Sequence, residues 1–305
     1  MKIGICGGSG VLGGLAVQAA LERVPAGDLV ITSRTPGALA AYAQRGVSVR
    51  YADFNEPQSL PGAFDGIERM FMMSVRDGAE PHPDQHGPAI RAARAAGVAR
   101  IVFPSMPRVD APEHPVGLVA QEYLEAEQEL RESGVPFVIL RVAPYTERHV
   151  VERFLPVLAA RSLRINTGAG TAAFISRHDV ARTAVAAVLA EGASVEGNVY
   201  EVAGPQLLSF ADLVELVTSV TGVVIEHVEL DDDTFLSEIR TEGYGEPMCR
   251  AVTGMGRAIR EGYFAVWSDA VRDLTGRPPR SVLEILEACR DQLGGAARGS
   301  PSASS

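Results

Sequence analysis

Lysine is nearly missing from this chain of 305 residues. Of its 28 lysine and arginine residues only Lys2 is a lysine, and Lys2 stands in the first predicted strand. The sequence therefore excludes every mechanism that needs a catalytic lysine inside the fold. Cysteine is also scarce, because Cys6, Cys249 and Cys289 are odd in number and widely spaced. This pattern gives neither a disulfide framework nor a zinc site, and it suits a reducing cytoplasm.

A basic surface and a membrane segment are missing too. The net charge of −10 argues against a nucleic-acid partner or an anionic membrane surface, because both need basic patches. No apolar run is long enough to span a bilayer, and the N-terminus leads directly into a predicted strand, so we expect no signal peptide. Hydrophobic residues make up 46% of the chain, as in ordinary globular proteins. We expect a cytoplasmic protein that acts on a small molecule.

The first fourteen residues, MKIGICGGSGVLGG, predict a dinucleotide site. The apolar strand 2–6 is followed by Gly7, Gly10 and Gly13 at intervals of three, and then by an amphipathic helical pattern. Strand, glycine turn and helix form the context in which such glycines bind a dinucleotide. Gly7 permits the turn, Gly10 lets the backbone approach a pyrophosphate, and Gly13 lets the helix pack closely. The alternative is a glycine-rich loop that merely turns.

The end of the second predicted strand, 28–33, favours NADP over NAD. An NAD site usually has a carboxylate about 20 residues beyond the glycine turn, where it holds the ribose 2′-hydroxyl. Here the strand ends in Thr32 and Ser33 and is followed by Arg34. A guanidinium can bind a 2′-phosphate through charge-assisted hydrogen bonds, so we predict NADP(H) as the cofactor. The alternative is a solvated surface arginine.

Alternating strands and helices predict an α/β fold: a Rossmann doubly wound parallel sheet with helices on both faces and a smaller C-terminal α+β lobe. The predicted division is 1–146 for the NADP-binding core, 147–293 for a substrate-pocket lobe interleaved with the last core strands, and 294–305 for a disordered tail. The predicted strands are 2–6, 28–33, 47–51, 68–73, 99–103, 136–141, 198–203 and 223–229, and the longer predicted helices are 84–96, 117–133, 147–161, 178–191, 210–220, 231–240, 248–261 and 281–293.

Eight stretches in a fixed order carry a family resemblance. They are CGGSGVLGG (6–14), Arg34, Ala52–Phe54, AIRAARAAGVARIVFPS (89–105), ELRESGVPFVILR (129–141), Phe174–Val180, YEVAGPQLLSFADL (200–213) and LTGRPPRSVLEI (274–285). Together they resemble the NmrA-like, atypical branch of the short-chain dehydrogenase/reductase superfamily over roughly residues 1–290. Within that branch the chain is most similar to the NADPH-dependent quinone-reductase-like subgroup.

The resemblance implies that NADP lies along the carboxyl ends of the strands. The residues that it places against the cofactor are Gly7, Ser9, Gly10, Val11 and Gly13 at the pyrophosphate, Arg34 at the 2′-phosphate, Asp53 on the adenine side, Ser74 near the ribose, and Ser105, Ala143, Pro144 and Tyr145 around the nicotinamide.

The chain departs from the superfamily in its chemistry. Typical members use a Tyr-x-x-x-Lys pair, and Lys2 cannot supply that lysine. The subgroup often carries a histidine in the long helix after the fifth strand, and the matching position here is Tyr123. Without a nearby cation we expect Tyr123 to keep its proton and to act as a donor rather than a base. The alternative is a half-buried aromatic that packs on the sheet.

Histidines supply further candidates. Tyr145 and His149 are four residues apart on one predicted helix face, where they could serve as acid and relay beside the nicotinamide, or His149 could simply face solvent. His114 is a weaker candidate. His82 and His86 are also four apart, but prolines interrupt their pattern and no third ligand is near in the sequence, so we predict no metal.

Three functions fit these features. The first is an NADPH-dependent reductase that transfers hydride to a small apolar carbonyl, quinone or enone. The second is a non-catalytic NADP-binding redox sensor that works through partner proteins, and the third is a non-redox isomerase, dehydratase or cyclase on the same fold. We favour the reductase, because conjugation stabilises a reduced quinone and makes the missing lysine tolerable. The sequence leaves open whether the protein is a monomer or a homodimer.

Overall fold

A parallel seven-stranded sheet organises the computed structural model, which describes residues 1–73, 85–192 and 195–297. The strands are β1 (Ile3–Ile5), β2 (Leu29–Ser33), β3 (Ser48–Tyr51), β4 (Arg69–Phe71), β5 (Arg100–Ser105), β6 (Phe137–Val142), β7 (Ser162–Ile165), β8 (Thr171–Ala172), β9 (Asn198–Val202), β10 (Leu208–Ser209) and β11 (Glu226–Glu229). The sheet order is β3-β2-β1-β4-β5-β6-β9, and each neighbouring pair is parallel.

Helices cover both faces of this sheet. The α-helices of the described residues are α1 (Val11–Leu21), α2 (Ala40–Gln44), α3 (Leu60–Phe64), α4 (His86–Ala95), α5 (Leu118–Glu132), α6 (Arg153–Ala160), α7 (Arg177–Leu189), α8 (Phe210–Thr221), α9 (Asp232–Arg240), α10 (Glu246–Arg260), α11 (Ala270–Thr275), α12 (Val282–Ala288) and α13 (Arg290–Ala297). Val138 and Leu140 of β6 join the core shared with α1 and α7, whereas Ile139 joins the core on the opposite face, with residues of α3, α4 and α5. The predicted doubly wound sheet is therefore confirmed.

The C-terminal half builds a third apolar cluster. Phe154 of α6, Phe210 of α8 and Leu286 of α12 are all but inaccessible within it. Two small sheets contribute to the same cluster, one pairing β8 with β10 and the other pairing β7 with β11. A capping box begins α8, since Ser209 Oγ accepts the Asp212 N–H at 3.2 Å and Asp212 Oδ2 accepts the Ser209 N–H at 2.8 Å. None of the described helices combines the length and apolar character that crossing a bilayer demands.

Some local predictions were wrong. The predicted helix 281–293 is two helices, and the second continues to Ala297, so 294–297 are not disordered. Leu293 is fully buried where α13 packs on α6 and α8, which stabilises this end. The remainder of the predicted tail lies outside the described residues. The predicted helix 147–161 begins as a π-helical turn, Glu147–Glu152. Strands β7, β8 and β10 and helix α11 were not predicted, because such short elements carry little periodicity.

Candidate functional site

The glycine turn after β1 is built from close backbone contacts. Gly7 has a φ of +66°, which a side chain would strain. A Cβ on Gly13 would lie 2.1 Å from the Gly7 carbonyl oxygen, and one on Gly8 would lie 2.1 Å from Ile31 Cγ2. The Gly10 N–H donates to the Gly7 carbonyl at 2.9 Å, and no described side chain caps the N-terminus of α1. The first turn of α1 therefore presents its N–H groups to a ligand.

A cavity of about 350 Å³ opens beside this turn. It brings together five of the predicted cofactor residues, namely Gly7, Ser9, Gly10, Arg34 and Asp53. Cys6, Thr32, Ser33, Ala52, Phe54 and Met73 complete its lining. Val11 and Gly13 are not part of that lining: Val11 opens α1 with a side chain 66% exposed, and Gly13 is packed beneath the turn.

Hydroxyl groups gather around Arg34 at the end of β2. Ser9 Oγ lies 2.8 Å from Ser33 Oγ, which also accepts the Thr35 N–H at 2.9 Å. Thr35 Oγ1 lies 3.3 Å from Ser33 Oγ. Three hydroxyls thus gather next to Arg34, which lines the same cavity, and all four side chains are of types that can donate hydrogen bonds to a phosphate. Ser33 and Thr35 were not among the predicted cofactor residues, although they flank Arg34 in the sequence.

Asp53 and Cys6 shape two other walls of the cavity. The Asp53 carboxylate accepts the Asn55 N–H at 2.9 Å, and the Asp53 N–H donates to Ser59 Oγ at 3.0 Å. These bonds fix the turn after β3 on the side opposite the glycines. Burial raises the pKa of the Cys6 thiol to about 12, so this thiol stays protonated and is not a nucleophile.

Unpartnered hydroxyls lie at the carboxyl ends of β5 and β6. Ser105 Oγ and Thr146 Oγ1 are buried, and neither has a hydrogen-bond partner among the described residues. Pro144, between the end of β6 and Thr146, is buried as well. Buried hydroxyls without partners at the strand ends are available to a ligand. The predicted ribose contact, Ser74, lies outside the described residues.

Two of the predicted catalytic residues, Tyr123 and Tyr145, interact electrostatically. Tyr123 is part of α5, and Tyr145 follows β6. Tyr145 is held by main-chain bonds around it, from the Ile175 N–H to the Pro144 carbonyl at 3.1 Å and from the Thr146 N–H to the Ile175 carbonyl at 2.8 Å. Burial raises the pKa of Tyr145 well above its ordinary value, so its hydroxyl stays protonated. It can therefore donate a hydrogen bond but not act as a base.

His149 is the predicted relay beside Tyr145, and its surroundings keep the imidazole uncharged. Its backbone N–H donates to the Tyr145 carbonyl at 2.9 Å, which places the two side chains on the same turn. Burial lowers the pKa of His149 to about 3, and the positive charges of Arg153, Arg148 and Arg177 lower it further in the same direction. The imidazole is therefore neutral at physiological pH. It is also half-buried, so it does not simply face solvent.

Two of the other histidines, His86 and His114, pack against aromatic rings. His114 Nδ1 accepts the Val116 N–H at 3.2 Å, and its ring packs 4.6 Å from that of Tyr263. His86 lies edge-on to Phe103 at 5.4 Å, whereas His82 is outside the described residues. Within the described ranges no three His, Cys, Asp or Glu side chains come close enough to hold a metal ion.

A parallel α/β sheet with a glycine turn beneath a helix N-terminus is typical of the class of dinucleotide-binding proteins. Residues 7–191 match the NAD(P)H-binding family. The chain is 29% identical over 285 residues to quinone oxidoreductase 2 of Escherichia coli, covering 93% of this chain and 97% of that protein. The crystal structure of the E. coli NADPH-dependent quinone oxidoreductase with NADPH superposes with a TM-score of 0.87 at 27% identity, covering 94% and 99% of the two chains.

A fungal relative extends this likeness to the predicted branch. An NmrA-like family domain-containing oxidoreductase of Aspergillus flavus is 25% identical over 309 residues, covering 95% of this chain and 97% of the relative. The chain therefore belongs to the NAD(P)H-binding family and to its NmrA-like, atypical short-chain dehydrogenase/reductase branch. It is an NADP(H)-binding reductase, as its sequence predicted.

Proposed function

We propose that the protein reduces a small quinone, enone or carbonyl compound at the ends of β5 and β6. The observation that carries this proposal is the group of hydroxyls there. Burial raises the pKa of Tyr145, Tyr123 acts on it electrostatically, and the Ser105 hydroxyl is buried without a partner among the described residues. Hydroxyls that keep their protons are suited to donate hydrogen bonds to an oxygen that gains negative charge.

The residues present fit NADP(H). The glycine turn after β1 has no room for side chains at two positions, since a Cβ at Gly8 or Gly13 would overlap neighbouring atoms. In our proposal Gly7, Ser9, Gly10, Val11 and Gly13 form the pyrophosphate cradle. Arg34 holds the 2′-phosphate with Ser33 and Thr35, Asp53 lies on the adenine side, and Ser74, Ser105 and Pro144 lie toward the ribose and nicotinamide. When bound, NADPH supplies a hydride.

The protein side chains then have to stabilise the negative charge that develops on the substrate oxygen, which also takes up one proton. The overall reaction consumes one quinone, one NADPH and one proton, and it yields one hydroquinone and one NADP⁺. Tyr145 or Tyr123 donates a hydrogen bond to the substrate oxygen, and His149, being neutral, adds no charge. Because conjugation spreads the charge of a reduced quinone, two hydroxyl donors without a lysine are sufficient for this chemistry.

A cofactor-consumption assay tests the proposal. Purified protein is mixed with NADPH and a panel of naphthoquinones, enones and aldehydes, while the absorbance of the reduced cofactor is followed. We expect consumption with at least one quinone. Binding of NADPH without consumption by any acceptor would overturn the proposal and would favour the redox sensor, whereas product isomers formed without net oxidation of NADPH would favour an isomerase.

A further inference from the structure

The first residues of α7 lie against the turn that carries Tyr145. Ile175 forms a parallel bridge with Tyr145, in which main-chain hydrogen bonds of 3.1 and 2.8 Å join the two segments. Two residues later Arg177 begins α7, and its main-chain N–H donates to the Glu147 carboxylate at 2.9 and 3.2 Å. Glu147 in turn begins the π-helical turn that follows Tyr145. These bonds therefore hold the main chain of Arg177 close to Tyr145.

The side chain of Arg177 lies over the Tyr145 ring. Its guanidinium carbon, Cζ, is 5.6 Å from the ring centroid, within the distance at which an aromatic face attracts a cation. Only 19% of the Arg177 side chain is exposed, and its Nη1 donates to Glu152 Oε1 at 2.9 Å. Glu152 is shared with Arg148, whose Nη1 lies 3.2 Å from Glu152 Oε2, so one carboxylate serves two guanidinium groups. The ring thus packs against a cation that is fixed at both its main chain and its side chain.

The charges that act on Tyr145 come from several elements. Burial and Tyr123 of α5 raise the pKa of Tyr145, Arg177 of α7 lowers it, and Glu147 raises it. His149, one turn after Tyr145, has a lowered pKa and is neutral. Arg177 therefore opposes the effect of burial and favours negative charge on the Tyr145 oxygen.

We propose that Arg177 positions Tyr145 for the reaction, its guanidinium holding the phenol ring while the hydroxyl donates a hydrogen bond to the substrate oxygen. This inference rests on the proposed reductase function. When the substrate oxygen gains negative charge, the hydrogen bond draws part of that charge onto the phenol, where the cation stabilises it. Arg177 acts only through Tyr145. No lysine can take its place, since Lys2 is the only one and its ammonium binds the Gly27 carbonyl.

Kinetics with a neutral naphthoquinone test the inference. Arg177→Met removes the charge but keeps an unbranched side chain over the ring. We expect kcat to fall about three- to tenfold, within the range of a cation over an aromatic face, while KM for the quinone and the NADPH affinity stay unchanged. Arg177→Lys should recover part of this loss, because an ammonium attracts the ring but cannot stack on it as a plane. Arg148→Met is the matched control: it removes an exposed partner of the same Glu152 and should leave kcat unchanged.

A double variant separates positioning from general support of the fold. In Tyr145→Phe protein no hydroxyl remains to be positioned, so adding Arg177→Met should lower kcat no further. A merely structural role would lower kcat by the same factor in both backgrounds, and that result would overturn the inference. An unchanged kcat in folded Arg177→Met protein would overturn it as well.

A titration without turnover keeps this test apart from that of the reductase function. Difluorotyrosine placed at position 145 alone has a more acidic phenol than tyrosine, and its ionisation is followed by fluorine NMR. Arg177→Met should raise the midpoint of this titration, since a neighbouring cation favours the phenolate, whereas Arg148→Met should leave it in place. A raised midpoint would support the inference even if no quinone were reduced. An equal midpoint in folded Arg177→Met protein would overturn it and leave the reductase proposal intact.

Discussion

The two ends of the site are made in different ways. At the cofactor end the shape is made by backbone, because Gly8 and Gly13 leave no room for side chains and Gly7 has a φ of +66°. At the proposed substrate end the surface is made by side chains, those of Tyr123 in α5 and of Tyr145 after β6. The cofactor end is defined by a short local stretch of chain. The substrate end exists only after the chain has folded.

The two ends also differ in whether their polar side chains have hydrogen-bond partners. The hydroxyls near Arg34 bond to one another at 2.8 to 3.3 Å. At the other end Ser105, Thr146 and Glu201 each have a buried oxygen without a partner in the described ranges. A preformed cradle suits a ligand of constant shape, whereas unpartnered groups suit a site that is completed by its substrate.

Gly13→Ala should have the largest effect, because it adds a side chain to the turn whose backbone forms the cofactor end. The new Cβ would lie 2.1 Å from the Gly7 carbonyl oxygen, a contact that the turn relieves only by moving. We expect a loss of 1–3 kcal/mol or more in the free energy of unfolding. NADPH affinity, measured by cofactor fluorescence, should fall at least tenfold.

Gly14→Ala is the matched control for this change. Its Cβ would meet the Gly8 carbonyl oxygen at 3.7 Å, an ordinary contact. Gly14→Ala should therefore keep both its melting temperature and its NADPH affinity. Equal affinity in the two variants would show that the turn does not form the cradle.

Arg34→Ala should have the next largest effect. The charge-assisted bonds of one guanidinium to a phosphate are worth roughly 1.5–3 kcal/mol, so NADPH affinity should fall about tenfold to a hundredfold. NADH affinity should hardly change, because NADH lacks the 2′-phosphate. Arg45→Ala, at the end of α2, is the control and should alter neither affinity. Parallel losses for NADPH and NADH would contradict the assignment of Arg34.

The cofactor end could be predicted from the sequence because its determinants are local. Gly7, Gly10 and Gly13 fall within seven residues, and Arg34 directly follows a strand. Apolar strands alternating with helices were also enough to predict the doubly wound sheet. Ser33 and Thr35 were not predicted as cofactor residues, since the approach of Ser9 Oγ to Ser33 Oγ depends on how β1 and β2 pair.

The substrate end could be predicted only in part, for a physical reason. Their four-residue spacing predicted that Tyr145 and His149 share one turn, but the sequence did not show that three arginines would surround His149. The pairing of Glu152 with both Arg148 and Arg177 was also hidden, because Arg177 is distant in the sequence. Charge balance in a folded site depends on contacts between distant segments, which periodicity does not report.

Tyr145→Phe should have a smaller and purely kinetic effect. Removing one hydrogen-bond donor should lower kcat about tenfold while NADPH affinity stays unchanged. Because burial raises the pKa of Tyr145, the wild-type rate should stay level through the pH range near ~10, where an exposed tyrosine ionises. Tyr42→Phe in α2 is the control. A wild-type rate that falls below pH 10 in parallel with Tyr145 ionisation, followed by ultraviolet difference absorbance, would contradict this assignment.

Glu201→Gln, a substitution at the substrate end, should have the smallest effect, and this effect should be on the stability of the protein. Glu201 lies opposite Arg141 in the pairing of β9 with β6, but Arg141 Nε and Nη2 donate to Glu127 at 3.0 Å. Burial raises the pKa of Glu201 to about 7, with Glu127 and Asp110 contributing and Arg141 opposing. The folded state therefore keeps the Glu201 proton at pH values where the unfolded state has already released it. This proton binding stabilises the folded state fully below about pH 4.5, and the stabilisation is lost as pH rises through 7.

The variant should remove that pH dependence. Between pH 6 and pH 8 the wild-type melting temperature should fall by about 1–2 °C more than that of Glu201→Gln. His149 has the opposite sign, since its lowered pKa costs stability as pH falls below ~6.5, so His149→Gln should alter the acid side of the profile instead. Identical profiles for wild type and Glu201→Gln above pH 6 would mean that Glu201 is solvated. The contrast between a satisfied cofactor end and an unsatisfied substrate end would then not extend to β9.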